Sequence, residues 1–323
     1  MKKYKYSIII PHINEGYLLD ITLDSIYSKF KYDKFEIIVV DDGSNNKIDL
    51  DFVKNHPLKK KIKIFFQKDL GSPNARNFGA KNSTGDILIF LDSHMYFIDD
   101  FLKKINKLLS KYDKIDLLQP IIGSIQDKRM EGCIYKIKDN LLYSHWDLPK
   151  IDGVNIKIED IKDIIETPNI AGGATIIKRK VFEDLDGFNK NFIKWGCEDL
   201  EFSMRAHLRG YNCFFTPNLF VAHYFKQSFT NTTVKTEEVL NNRLMTLYTC
   251  FNNKARFDLI LNDLSNHYGK ELFDKINNEV KNNVEYVKWN ENQQTNFKYN
   301  DDWYFEKFKD YYLDFIKIKN EEL

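Results

Sequence analysis

The chain has 323 residues, which is enough to bury a large core in one large domain or in two ordinary ones. Its 48 basic and 47 acidic residues leave a net charge of +1, so no bulk field attracts nucleic acid, and an anionic ligand needs a local site. The apolar stretches are strand-sized, far short of the roughly 18 to 20 residues of a membrane span, so we expect no transmembrane segment and no export signal.

The first third of the chain alternates short β-branched or aromatic runs with segments of helical spacing. The runs cover residues 6–10, 35–40, 62–66 and 87–91. This alternation predicts an α/β fold with a largely parallel sheet flanked by helices. An apolar stripe from Leu19 to Phe30 predicts a helix lying on the sheet. Ser72 before Pro73 predicts the N-cap and first residue of a second helix, which carries Arg76.

Later segments predict a second helix–strand unit and then helices alone. A helix begins near residue 198, and Gly210 stands where its C′ residue is expected. Strands are predicted at 211–216 and 219–223, and the Thr-, Ser- and Asn-rich segment 226–235 is predicted to be a mobile connection or a lid. We therefore divide the chain into a catalytic domain, 1–230, and a helical C-terminal extension, 231–323. The extension offers helices through which a homo-oligomer could form.

Cysteine use is typical of a reducing compartment. Four cysteines, at positions 133, 197, 213 and 250, are scattered without CxxC spacing. This spacing favours buried or free thiols over disulfides. We therefore expect a cytoplasmic protein.

One acidic residue and two histidines follow apolar runs and form a candidate metal site. Asp92 and His94 close the run at 87–91, and His223 ends the run at 219–222. If the strand continues, Asp92 and His94 point to one side while Ser93 faces away. A carboxylate and imidazoles with open positions suit Mn²⁺ better than Mg²⁺, which remains a second candidate. Such an ion can hold a diphosphate.

Ligands of open α/β sheets bind beyond the carboxyl ends of the strands. Residues 11–15, 41–44 and 92–94 fall at such ends in the predicted sheet. We therefore expect these three loops to meet at one edge.

These motifs, in this order, resemble a GT-A glycosyltransferase of the family 2 type over roughly residues 5–225. The motifs are SIIIP at 7–11 with Asn14 and Glu15, IVVDDGS at 38–44, ARNFG at 75–79 and LDSH at 91–94. The DSH form, Gly172 with Gly173, the WGCEDLE segment at 195–201 and His223 are also similar to the polypeptide N-acetylgalactosaminyltransferases. In that family a DxH motif and a later histidine share manganese. The tryptophan-containing segment additionally resembles β-1,4-galactosyltransferases and bacterial chondroitin-type polymerases.

The resemblance implies a UDP-sugar donor carrying GlcNAc, GalNAc, Glc or Gal, and a metal held by Asp92, His94 and His223. Glu15 and Asp42 would accept hydrogen bonds from uracil and ribose, with Asp41 sharing this role. Arg76 would offer a fork of donors to a base or phosphate. The implied donor-binding residues are Pro11, Glu15, Asp41, Asp42, Arg76, Asp92, Ser93, Gly172, Gly173 and Trp195.

The resemblance also implies a general base. Asp199 matches the base of the galactosyltransferase-like pattern, whereas polypeptide N-acetylgalactosaminyltransferases usually have Asn there. A carboxylate can deprotonate an acceptor hydroxyl, which favours inversion at the sugar carbon, with Glu198 binding sugar hydroxyls. The resemblance implies an acceptor hydroxyl on a glycan or a polypeptide. The alternatives are a retaining polypeptide Ser/Thr glycosyltransferase and an inactive module that binds a nucleotide or glycan.

Structural explanations stand beside three of these assignments. Residues 41–44 are also typical of a turn after a buried strand. Asp199 could stabilise only the start of its helix, as acidic first-turn residues do. Trp195 could be a core residue rather than a platform for a sugar ring.

Overall fold

In the computed structural model, strands and helices alternate through the first two thirds of the chain, and helices alone follow. The structure describes residues 5–32, 34–45, 47–127, 131–225 and 234–312. The strands are β1 (Tyr6–His12), β2 (Phe35–Asp41), β3 (Ile62–Phe66), β4 (Ile87–Leu91), β5 (Met95–Tyr96), β6 (Leu117–Ser124), β7 (Glu131–Gly132), β8 (Ile134–Ile137), β9 (Ser144–Asp147), β10 (Lys150–Ile151), β11 (Val154–Asn155), β12 (Ile165–Glu166), β13 (Ala174–Lys178) and β14 (Cys213–His223). The helices are α1 (Tyr17–Lys29), α2 (Ser72–Lys81), α3 (Phe101–Lys111), α4 (Arg179–Asp184), α5 (Glu198–Leu208), α6 (Thr236–Cys250), α7 (Lys254–Tyr268), α8 (Lys270–Asn282), α9 (Val284–Thr295) and α10 (Asp301–Lys307).

The largest sheet in the described residues has ten strands. Among the described residues its order is β12-β14-β6-β13-β4-β1-β2-β3, with β5 paired to β14 and β7 paired to β6. Strands β1 to β4 form a parallel block. The antiparallel strand β13 joins this block to β6, beside which β14 runs parallel. The predicted α/β class with a largely parallel sheet flanked by helices is therefore confirmed.

The helix predicted after the first strand packs on the sheet through its apolar stripe. Leu19, Leu23 and Ile26 of α1 are fully buried. They share a hydrophobic cluster with Ile8 of β1 and Val39 of β2. Burying each such side chain stabilises the fold by about 1.5 to 3 kcal/mol, which holds α1 against the parallel block.

The start of α2 differs by one residue from the prediction. The N-cap is Gly71, with φ of 90°, and not Ser72. A Cβ at Gly71 would lie 2.2 Å from the carbonyl oxygen of Lys194, so the close passage of two backbones requires glycine. The Ser72 hydroxyl instead donates to Glu198 at 2.9 Å. The first turn of α2 is thereby joined to the start of α5.

The two strands predicted around residue 217 are one strand, so that prediction is wrong. Strand β14 is continuous from Cys213 to His223, and its pairing with β6 shifts register between Phe215 and Phe220. Such an irregularity bends a strand without ending it. The prediction for the preceding helix is confirmed, because α5 ends at Leu208 and Gly210 follows with φ of 88°.

Helices α6 and α10 pack on α5, and α7 to α9 join the same hydrophobic cluster. Leu200, Met204 and Leu208 of α5 lie in one hydrophobic cluster with Leu244 of α6 and Tyr304 of α10. The extension therefore shares a core with the residues before it, although the boundary at 230 and the homo-oligomer contact stay predictions. Of the predicted lid, residues 226–233 lie outside the described residues. Within the described ranges, every helix is too short or too polar to cross a membrane.

Candidate active site

A cleft of about 380 Å³ opens at the carboxyl edge of the parallel block. It gathers the predicted site residues with one exception, Asp41. The predicted residues that line it are Pro11, Glu15, Asp42, Arg76, Asp92, Ser93, His94, Gly172, Gly173, Trp195, Glu198, Asp199 and His223. The expected meeting of three strand-end loops is therefore observed.

The candidate metal ligands converge in this cleft. One ligand atom from each of Asp92, His94 and His223 lies within 4.8 Å of the others. Nε2 of His223 is 3.4 Å from Oδ2 of Asp92, and the two imidazole rings lie 4.6 Å apart between centroids. The three side chains offer one anionic oxygen and two imidazole nitrogens, a donor set that fits Mn²⁺.

The convergence arises from strand pairing, not from the predicted continuation of a strand. Strand β4 ends at Leu91, and Asp92 to His94 form a turn before β5. Met95 of β5 pairs with His223 at the end of β14, which places the distant histidine beside this turn. The Ser93 hydroxyl donates to the carbonyl oxygen of Pro11 at 2.5 Å.

A glycine leaves room beside the candidate ligands. A Cβ at Gly173 would lie 3.2 Å from Oδ2 of Asp92 and 3.7 Å from Cδ2 of His223. The first distance is tighter than ordinary van der Waals contact. A side chain at 173 would crowd Asp92, so this position favours glycine.

Further side chains hold the candidate ligands in place. Oε2 of Glu15 is 3.2 Å from Nδ1 of His94, and the guanidinium of Arg76 donates to Asp92 at 3.0 Å. Burial acts to raise the pKa of Asp92, but the hydrogen bond with His223 and the charges of Arg76 and His94 outweigh it and hold that pKa well below its usual range. Asp92 is therefore ionised, as a metal ligand must be.

Arg76 connects the two walls of the cleft. It is almost fully buried, and besides Asp92 it contacts the carbonyl oxygen of Gly172 at 3.2 Å and Glu198 at 3.3 Å. The Arg76 guanidinium, which was predicted to donate to a base or a phosphate, donates in this structure to two carboxylates and a carbonyl group.

The two aspartates at the carboxyl end of β2 have different surroundings. Asp42 lines the cleft, and its carboxylate accepts from Gln67 at 2.6 Å and from the amides of Leu70 and Gly71 at 2.8 and 2.7 Å. Asp41 does not line the cleft. Its Oδ1 accepts from the amides of residues 43 and 44, at 3.1 and 2.8 Å, as in a turn. The Asp41 carboxylate closes this turn, and its share in nucleotide binding stays a prediction.

The opposite wall is the start of α5. Glu198 is buried, and its Oε2 accepts from the amide of Gly196 at 2.7 Å. Asp199 is half-buried, and its two oxygens accept from the amides of Gly172 and Leu200 at 3.2 and 2.8 Å. Burial, followed by the like charge of Glu198, raises the pKa of Asp199 to about 7. A carboxyl group with this pKa is suited to take a proton near neutral pH.

The cleft also contains aromatic side chains, and some of them were not predicted. Trp195 is 47% exposed and lines the cleft, so it is not a core residue. Tyr135 and Trp146 line it as well, with ring centroids 4.9 Å apart on the β8–β9 hairpin. A Cβ at Gly132 would lie 2.6 Å from the ring of Trp146, so glycine makes room for that ring. Tyr135 and Trp146 lie outside any predicted helix or strand, so no sequence pattern distinguishes them as cleft residues rather than core residues.

Comparison with known families gives two matches. Residues 7–186 match Glycosyl transferase family 2, which is more than half of the chain. Residues 153–228 match the N-terminal domain of galactosyltransferase.

Curated relatives align over about two thirds of the chain. Over 240 residues the chain is 28% identical to polypeptide N-acetylgalactosaminyltransferase 3 of Drosophila melanogaster, which covers 69% of the chain and 35% of that protein. Over 235 residues it is 32% identical to probable N-acetylgalactosaminyltransferase 6 of Caenorhabditis elegans, with 69% and 38% covered. The chain thus spans little more than a third of the length of these relatives.

A solved structure shares the fold. The structure of GalNAc-T7 with UDP, GalNAc and Mn²⁺ superposes with a TM-score of 0.65 at 20% identity. The superposition covers 78% of this chain and 49% of the other.

Proposed function

The chain belongs to glycosyl transferase family 2 and has a GT-A fold, and we propose that it transfers a sugar from a UDP-sugar to an acceptor hydroxyl with the help of a divalent metal ion. The convergence of Asp92, His94 and His223 in the cleft carries this proposal. These residues would hold Mn²⁺, or Mg²⁺ as the second candidate. When bound, the ion would neutralise charge on the departing nucleoside diphosphate.

Two residues next to the ligands prepare the site for the ion. A proton on Nδ1 of His94, shared with Glu15, leaves the Nε2 lone pair for the metal and fixes the ring. Arg76 keeps Asp92 charged and oriented. We therefore propose for Glu15 a positioning role at His94, in place of the hydrogen bond to uracil that its motif implies.

Asp199 is proposed as the general base. Its raised pKa and its place in the cleft support this role. The carboxylate would accept the proton of the acceptor hydroxyl while the acceptor oxygen bonds to the sugar carbon and the carbon–oxygen bond to the diphosphate breaks. Attack from the face opposite the leaving group inverts the configuration of that carbon. Glu198, tied to Gly196 and Ser72, would position the start of α5.

The relatives favour a second candidate mechanism. Two of them are named N-acetylgalactosaminyltransferases, one of these a polypeptide N-acetylgalactosaminyltransferase. Their names support GalNAc, among GlcNAc, GalNAc, Glc and Gal, as the sugar to test first, and a polypeptide beside a glycan as the acceptor. In this alternative the enzyme retains the configuration of the sugar carbon, and Asp199 stabilises only its helix.

Two measurements test the proposal in sequence. In a thermal-shift screen, a UDP-sugar with Mn²⁺ should raise the melting temperature more than the same UDP-sugar without Mn²⁺. NMR of the product then gives the anomeric configuration, which is inverted if Asp199 is the base and retained in the alternative. An inactive binding module would bind UDP-sugar without releasing UDP in the presence of any acceptor.

The cysteines support a proposal for the cellular location. Cys133, Cys197, Cys213 and Cys250 form no disulfide. Free thiols support the proposal that the protein acts in the cytoplasm, where they stay reduced.

A further inference from the structure

The loop between α4 and α5 brings Trp195 into the cleft and leads to Asp199, yet its backbone is strained. Lys194, Gly196 and Cys197 all have positive φ, at 55°, 112° and 65°. Lys194 and Cys197 are not glycines, and residues with side chains keep this left-handed conformation only where their surroundings enforce it. The loop 193–197 therefore needs an external support.

The side chain of Asn242, in α6, supplies this support. The Oδ1 of Asn242 accepts from the amide of Ile193 at 2.9 Å, and its Nδ2 is 2.9 Å from the carbonyl oxygen of the same residue. The same Nδ2 lies 3.3 Å and 3.1 Å from the carbonyl oxygens of Trp195 and Gly196. Asn242 is fully buried, so water cannot replace these contacts when the side chain is removed.

The other side of the loop is bound to α2. The amide of Ser72 donates to the carbonyl oxygen of Lys194 at 3.0 Å, and the amide of Gly196 donates to Glu198. Asn242 thus joins this loop to the helical extension. A shift of the loop would move Cys197, the N-cap of α5, and with it the two carboxylates that follow.

We infer that Asn242 is a positioning residue, which makes the C-terminal helices part of the catalytic apparatus by clamping the loop that sets Trp195 and Asp199. This inference rests on the proposed transferase function. The clamp acts on the base side of the cleft and does not touch Asp92, His94 or His223. Its loss should therefore lower turnover and leave nucleotide and metal binding in place.

The test compares Asn242→Leu and Asn242→Ala with Asn277→Leu in the full chain. Asn277, in α8, is also buried and accepts from the Tyr248 hydroxyl at 2.7 Å, so its replacement removes a buried asparagine of the same helical layer. The kcat of the Asn242 variants should fall by about 10- to 100-fold, because a misplaced catalytic group reduces the rate by this order. Their Kd for UDP in the presence of Mn²⁺ should stay within about twofold of the wild-type value. Asn277→Leu should keep wild-type kcat.

Hydrogen exchange supplies a readout independent of activity. The amide of Ile193 should lose protection in both Asn242 variants, while the strands of the parallel block keep theirs. Unchanged kcat and unchanged exchange at 193–197 would overturn the inference. Global unfolding of both Asn242 variants at a temperature where Asn277→Leu is folded would also overturn it, because the residue would then support the whole core. If the wild-type protein transfers no sugar, the proposed function fails, and exchange still decides whether the clamp exists.

Discussion

On the metal side of the cleft, the candidate ligands lie at the ends of hydrogen-bonded strands, and the pairing of Met95 with His223 brings them together. On the base side, Asp199 begins a helix that follows a strained loop, and that loop is held by Asn242 of the extension. Sheet pairing brings the first group together. Packing between helices places the second. The two sides should therefore fail separately when one residue is changed, although Arg76 joins them.

The largest effect is expected from removing a candidate ligand. Asp92→Asn or His94→Ala should keep the fold and abolish Mn²⁺-dependent UDP binding in calorimetry. Transfer should fall by about 10⁴-fold, since an ion contributes several kcal/mol of charge stabilisation and about 1.4 kcal/mol corresponds to a tenfold change.

A second grouping of Asp and His provides the matched control. Asp20, Asp24 and His56 also lie within ligand distance of one another. Nδ1 of His56 accepts from the amide of Leu58 at 3.0 Å, so the proton of the neutral ring is on Nε2, which points to Asp24. Asp24→Asn should therefore bind Mn²⁺ and UDP as wild type does. Equal loss in this variant, or full activity in Asp92→Asn, would refute the metal assignment.

Breaking the base side should leave the metal side intact. Asp199→Asn should bind UDP and Mn²⁺ within about twofold of wild type and lose about 10²- to 10⁴-fold in kcat, the usual contribution of a general base. Because the folded-state pKa of Asp199 is raised from 3.8 to about 7, the folded state loses stability as the pH rises between these two values, and the whole cost is present at pH 8. The variant should therefore melt at a higher temperature than wild type at pH 8. Normal turnover would instead favour the retaining mechanism.

Glu15→Gln distinguishes the two roles proposed for this residue. If Glu15 orients His94, the amide should weaken Mn²⁺ binding in the presence of UDP by about 10- to 100-fold, as loss of a hydrogen-bond partner of a ligand does. Binding of UDP without metal should not change. If Glu15 instead contacts uracil, UDP binding should weaken even without metal. Calorimetry in both conditions separates these outcomes.

The smallest effect is a pH dependence that belongs to the base side. Asp199 must be ionised to accept a proton, and its pKa is about 7. The kcat of wild type should rise by up to about tenfold per pH unit below 7 and level off above it. Asp92 stays charged over this range because its pKa is lowered, so Mn²⁺-dependent UDP affinity should follow a different profile. A flat kcat profile from pH 5 to 9 would contradict the role of Asp199.

The sequence by itself determined the local elements and the candidate chemistry. The alternating runs predicted the parallel block, and the apolar edge of α5 with Gly210 predicted that helix, because periodicity and caps depend on neighbouring residues. The ordered motifs selected a set of residues that, apart from Asp41, lies in one cleft. Their assigned roles stay predictions.

Only the tertiary structure decided how these residues meet. Several contacts join segments that are far apart in the chain. They are the antiparallel pairing of β13 with β4, the pairing that places His223 beside His94, the placement of the Tyr135 and Trp146 rings in the cleft, and the hydrogen bonds of Asn242. Local patterns carry no record of which strand pairs with which, or of which helix side chain reaches a given loop. Those contacts are fixed when burial of apolar surface and completion of hydrogen bonds are satisfied together over the whole fold.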